Sequence, residues 1–233
     1  MARYELPGEP PVSVSLRRTA AARRFSLRVS RLDGQVTLTM PARAREADAL
    51  DFLHARGPWL RGVLAGLVPV EPVAIGTRLP VEGRERVVTA APVRAATLEA
   101  ERLLVPASGA AGPRVAALLK LLARQRLAAE SEAFARRIGR GVARLSLRDT
   151  RSRWGSCSAS GGLMYSWRLI MAPPEVLRYV AAHEVAHLRR MDHSPAFWDL
   201  VGQLMPDHAA HRAWLRRNGA LLHRFDFGAA PPA

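Results

Sequence analysis

Residues 183–187 read His-Glu-Val-Ala-His, a spacing that carries chemistry only on a helix. Residues four apart lie one turn apart on the same face, so His183 and His187 can present both imidazoles to one ion. Glu184 is rotated by about 100° from His183, which turns its carboxylate toward a water on that ion instead of toward the ion itself. The flanks agree with a helix. Pro173-Pro174-Glu175 is a good helix start, Leu177, Val180 and Leu188 supply apolar packing, and Arg189 and Arg190 suit a C-terminal end.

A catalytic zinc takes three protein ligands and keeps a fourth position open. His193, six residues beyond His187, is the natural third ligand, provided the chain bends. Ser194-Pro195 supplies the bend as an N-cap followed by proline at the first helical position, so a second helix is expected over 195–205 with His193 in the turn before it. Asp192, Asp199, Asp207, His208 and His211 are rival ligands or partners for the imidazole N–H groups. For His208 and His211 a plain surface position on the last helix is the competing reading. The expected cofactor is one zinc ion.

The rest of the chain reads as α+β. Val12, Val14 and Leu16 alternate with polar residues as a half-buried strand does. Phe25, Leu27 and Val29 alternate up to Asp33-Gly34, after which Val36, Leu38 and Met40 resume the pattern to Pro41, the signature of a hairpin. Helical spacing runs over 45–65 and is broken at Gly57-Pro58. Short strands and turns are expected over 75–106. The stretch SGAAGP, 108–113, reads as a linker, dividing a β-rich region, 1–110, from a catalytic domain, 111–233. In the latter, an amphipathic helix is expected over 114–138, with Leu118, Leu119, Leu122, Leu127, Phe134 and Ile138 near one face, then a strand over 142–148. LMYSWRLIM, 163–171, reads as a buried strand ending at Ala172-Pro173.

Composition excludes some classes. No apolar run approaches the roughly 18 residues of a spanning helix, since the most apolar stretch, 62–76, is interrupted by Pro69, Glu71 and Pro72. No membrane partner is expected. The opening MARYELPGEPPVS lacks the apolar core of a signal peptide, and Cys157 is the only cysteine, so no intrachain disulfide forms and the expected location is cytoplasmic. The net charge of +15 sits mainly beyond residue 110, where 19 basic residues face 9 acidic ones. A field of that sign attracts nucleic acid, nucleotides or acidic peptides, although the arginines are scattered as on a solvated surface.

RSRWGSCS (151–158), WRLIMAPPEVLRYVAAHEVAHL (167–188) and DHSPAFW (192–198) resemble the YgjP-like metallopeptidase family, a zincin-type group related distantly to SprT-like proteases. RRFSLRVSRLDGQVTLTMP (23–41) is similar to that family's β-hairpin entry, so the resemblance covers nearly the whole chain. It implies a zincin-like helical metallohydrolase domain with a small sheet, His183, His187 and His193 as metal ligands, Glu184 as catalytic, and a peptide or protein substrate. Metzincins also place a third His six residues after the second, with Gly three after it. Here that position is Arg190, so the bend is expected later, over 191–194.

Candidates for contact with substrate or transition state are Arg153, Tyr165 and Arg168, which flank the strand before the metal helix. Cys157 is a candidate fourth ligand or a small packed residue, and the strand at 163–171 is a candidate edge for an extended peptide. Three functions remain open on the residues: a peptidase, a metal-dependent nucleotide phosphohydrolase (pyrophosphatase) favoured by the positive charge, and a nucleic-acid-associated, SprT-like protease.

Overall fold

The computed structural model describes residues 2–30, 34–67 and 69–228, and its architecture is α+β. The chain divides into two compact units, Met1–Pro69 and Val70–Ala233.

In the first unit the strands are β1 (Ala2–Leu6), β2 (Val12–Thr19), β3 (Ser26–Val29) and β4 (Val36–Pro41), in sheet order β1-β2-β4-β3. The expected hairpin forms: β3 and β4 are antiparallel, with Leu27 opposite Leu38 and Val29 opposite Val36. Gly34 takes φ +69°, as a tight turn of this kind demands; Asp33 lies outside the described residues. The alternating residues of β2 and β4, Val14, Leu16, Val36, Leu38 and Met40, are buried against the helices α1 (Glu46–Ala55) and α2 (Gly57–Ala65) through Ala49, Leu53 and Leu60. The break between these helices falls where Gly57-Pro58 was expected to put it, with the proline in the first turn of α2. β1 had no such signal, because only Tyr4 and Leu6 of its five residues are large and apolar.

In the second unit β5 (Glu71–Pro72), β6 (Arg78–Val81), β7 (Arg84–Ala91), β8 (Thr97–Leu98) and β9 (Arg102–Pro106) precede α3 (Ala111–Arg137). The sheet order is β6-β7-β9-β8. The division of the chain thus falls at Pro69/Val70 and not near residue 110. The physical reason is burial: Leu79, Val81, Val88, Leu103 and Val105 belong to the same core as Val115, Leu119 and Leu127 of α3. The start of the unit is also tied to its end. Glu71 and Val73 donate backbone N–H to the carbonyls of Arg224 and Asp226, which pairs β5 with β13 (Phe225–Asp226). The glycines of 108–113 therefore do not mark a linker. A Cβ on Gly112 would stand 2.6 Å from the Phe227 carbonyl oxygen, so this glycine permits close packing at the start of α3.

The site-bearing part follows α3. A three-stranded sheet in the order β10-β12-β11 is made of β10 (Arg144–Arg148), β11 (Gly155–Cys157) and β12 (Gly162–Ser166). β12 ends at Ser166, and Trp167–Met171 form a 3₁₀ turn where the apolar run suggested a continuous strand. A short unbroken apolar run has no period to distinguish the two. All five residues of the turn are buried, packed on α3. Arg168 is drawn inside by Asp149 and by the carbonyls of Leu222 and Phe225. β12 is also the central strand, so it has no free edge for a peptide; β10 and β11 are the edges. The helices α4 (Pro174–Ala186), α5 (Pro195–Leu204) and α6 (His208–Asn218) complete the unit, with a 3₁₀ turn over Gly219–His223 before β13.

Candidate metal centre

α4 is buried along most of its length, including Val176, Leu177, Val180, Ala181 and Val185, and leaves one face for Tyr179, His183 and His187. These lie one turn apart. The helix ends at Ala186, with His187 as its C-cap. The N–H groups of Arg189 and Arg190 both reach back to the Ala186 carbonyl, so the chain turns from His187 onward, earlier than the expected 191–194. This early turn gives His187 a partner. Its Nδ1 donates to the Arg190 carbonyl at 2.9 Å, which leaves Nε2 unprotonated, the form a metal requires. The sequence offered several acids for this role; the acceptor is a backbone carbonyl made available by the turn.

His193 follows in the connection to α5. Pro195 opens α5 as expected, but the Ser194 hydroxyl does not cap it and donates instead to Asp192 at 3.0 Å. One ligand atom each from His183, His187 and His193 lie within 4.8 Å of one another. His183 Nε2 and His193 Nε2 are 3.3 Å apart. Tetrahedral zinc with arms of about 2.0–2.1 Å sets neighbouring ligand atoms about 3.3–3.4 Å apart, the spacing of the His183–His193 pair. The ring of Phe197, fully buried on α5, lies under all three imidazoles, with centroid distances of 5.0, 4.5 and 4.9 Å to His183, His187 and His193. Trp198 stacks on His193. Neither aromatic was singled out from the sequence, although both stand in the DHSPAFW segment.

Burial disfavours the charged forms of His183 and His187. Burial pushes His183 down to about 3, helped by His187 and His193, and burial also lowers His187 against the opposing effect of the Arg190 carbonyl. Neutral imidazoles are what a cation needs as ligands. His183 Nδ1 is buried without a hydrogen-bond partner among the described residues.

Glu184 points to the β11 side of α4 and is 5% exposed. Burial pushes its carboxyl up to about 8, with Arg153 opposing the rise. The contact with β11 is tight. A Cβ on Gly155 would stand 2.5 Å from Glu184 Oε1 and 2.6 Å from its Cγ, so only glycine leaves room for the carboxylate where it sits. Two hollows meet at this point. One, of about 330 Å³, is lined by Arg153, Tyr179, Arg212 and Arg216. The other, of about 450 Å³, runs along β11 past Cys157, Met191 and His193. Both are lined by Arg153, Gly155, His183 and Glu184.

Of the three expected contact residues the structure brings only Arg153 to this cleft. The Tyr165 hydroxyl is fully buried and hydrogen-bonded to Ser131 at 2.9 Å. Arg168 is fixed by two hydrogen bonds to Asp149 and two to backbone carbonyls. Cys157 lines the second hollow, but its thiol donates to the Ser158 carbonyl. His208 donates to the Met205 carbonyl and His211 pairs with Asp207. Among the described residues, no group of metal-binding side chains other than the three histidines comes together. Tyr179, Arg212 and Arg216 were not anticipated. Tyr179 had a signal, since it stands four residues before His183; the arginines of α6 had none.

Residues 23–218 match the family described as YgjP-like, metallopeptidase domain. No curated protein and no solved structure matches the chain.

Proposed function

The chain belongs to the YgjP-like metallopeptidase family, and on that premise we propose that it is a zinc-dependent peptidase in which Glu184 acts as general base. The observation that carries this reading is the meeting of three imidazoles, with one ligand atom of each within 4.8 Å of the others, beside one buried carboxylate. His183, His187 and His193 would hold the ion, and zinc bound there would supply the Lewis acidity that lowers the pKa of a bound water to about 7.

The protein's own groups do the rest. Glu184 Oε accepts the proton of the attacking water and returns it to the departing amine, a transfer worth about 10²- to 10⁴-fold in rate. The β11 backbone at Gly155 holds that carboxylate in place, and Arg153 stabilises its charged form. The Arg190 carbonyl fixes the His187 ring through Nδ1, and Phe197 fixes all three rings from below. β11, one of the two edge strands of its sheet, lines the second hollow and suits backbone pairing with an extended peptide.

A second reading, hydrolysis of a nucleotide phosphoanhydride, has one observation in its favour. Three arginines line the first hollow, and guanidinium groups bind phosphate bidentately. One experiment separates the two: zinc-loaded wild type and Glu184→Gln are given unfolded protein, a peptide library and nucleoside triphosphates in parallel. The peptidase reading expects peptide cleavage that falls about 10²- to 10⁴-fold in Glu184→Gln with metal content unchanged. Phosphate or pyrophosphate release without peptide cleavage would replace it with the second reading.

A further inference from the structure

Some arginines of the second unit meet acids, as Arg126 does with Glu82, Arg168 with Asp149, Arg178 with Glu130 and Arg224 with Glu71, and others do not; the first hollow gathers three of the latter beside His183 and Glu184. Arg153, Arg212 and Arg216 line one cavity of about 330 Å³, and among the described residues none of them has an ion-pair partner. Among the described residues the only acid lining that cavity is Glu184. Arg212 and Arg216 are four apart on α6, so two like charges share a helix face, an arrangement that costs helix stability unless something anionic lies between them.

Arg212 is also held in place. Its guanidinium lies 4.5 Å over the Trp198 ring, and the same Trp198 stacks on His193, so the cation is positioned relative to the histidine cluster. Stacking by one face leaves the guanidinium edge free to donate. The remaining wall is apolar or amphipathic, formed by Trp154, Tyr179 and Leu215. A cavity of this size suits one side chain. Its chemistry, an apolar sleeve ending in guanidinium donors, matches a short aliphatic stem ending in a carboxylate.

We propose that this hollow selects substrates that carry a carboxylate beside the bond to be cleaved, an Asp or Glu side chain or a free C-terminal carboxylate, seated on Arg212 and Arg216. The inference rests on the peptidase reading, and its test has a binding arm that does not need cleavage. Zinc-loaded Glu184→Gln, immobilised, is offered a pooled library of short peptides, and the retained ones are identified by mass spectrometry. Defined peptides differing only as Glu or Gln, and as free acid or C-terminal amide, then separate the two sources of the carboxylate. The expected result is about tenfold tighter binding of the carboxylate form. Adding Arg216→Glu should abolish that preference, and adding Arg212→Lys, which keeps the charge but loses the fork, should reduce it. Equal binding of Glu and Gln peptides, or a preference untouched by Arg216→Glu, overturns the inference. Cleavage by the wild type of peptides without that preference would overturn it while leaving the peptidase reading intact. If wild type cleaves no peptide but hydrolyses a nucleoside triphosphate, with KM raised about tenfold in Arg216→Glu, the peptidase reading and the carboxylate assignment both fall, and the hollow is a phosphate site.

Discussion

The two walls of the cleft are built on different principles. The wall made by α4 is local: Tyr179, His183 and His187 reach it because they are four residues apart on one helix, and Glu184 is turned to its side by the same geometry. The opposite wall is assembled from distant segments, Arg153 and Gly155 at β11 and Arg212 and Arg216 on α6. The first wall is kept neutral by burial; the second carries unpaired positive charge. The contrast teaches that helix periodicity gathers His183, His187 and Glu184, whereas His193, the exact seat of Glu184 and the arginines of the first hollow depend on tertiary packing.

The comparison can be broken at either wall. The largest effect is expected on the local one. His187→Ala removes a proposed ligand and should take the purified protein from one bound zinc to nearly none, read by elemental analysis; retained stoichiometric zinc would show that the three histidines are not the set. Phe197→Ala, at a fully buried position under the rings, should destabilise by about 3–5 kcal/mol in denaturant unfolding and weaken zinc binding. Unchanged metal affinity would mean the rings are held by the backbone alone.

On the non-local wall, Gly155→Ala places a methyl where Glu184 sits. It should lower kcat by about 10- to 100-fold while leaving zinc content intact, because a misplaced base by even an ångström forfeits that much. A fully active Gly155→Ala would show that the carboxylate works from another position. The smallest effect concerns stability against acid. His223, packed at a tilt against Trp154 with a ring separation of 5.2 Å, is held down to about 4, first by burial and then by Arg168. The unfolded chain takes up this proton near pH 6.5 and the folded one only near 4, so stability falls as pH drops through that window. His223→Phe, which keeps a ring on Trp154, should shrink the loss of Tm between pH 7 and pH 4 by a few degrees; an unchanged loss would remove His223 from the account.

What the sequence made legible follows the same division. The His-Glu-x-x-His spacing, the Pro174 and Pro195 helix starts, the break at Gly57-Pro58 and the strands β2, β3 and β4 all have periods or local stereochemistry that act within a few residues. The failures are non-local. Trp167–Met171 carries no period, and its turn is dictated by α3 and by the pull of Asp149 on Arg168. Gly112 resembles a linker glycine until Phe227, more than a hundred residues away, is seen against it. The carbonyl that orients His187 exists only because the helix stops at Ala186. Arg212 and Arg216 are two arginines among 34, and nothing in their neighbourhood marks them as facing a cleft.

The central claim, that three histidines and no other protein group hold one zinc beside Glu184, is tested most directly by X-ray absorption at the zinc edge of the purified, zinc-loaded protein. The account predicts three imidazole nitrogens and one oxygen ligand at about 2.0–2.1 Å, in a tetrahedral shell. A sulfur scatterer at about 2.3 Å, which only Cys157 or a methionine could supply, or a shell with fewer than three imidazoles, would contradict it.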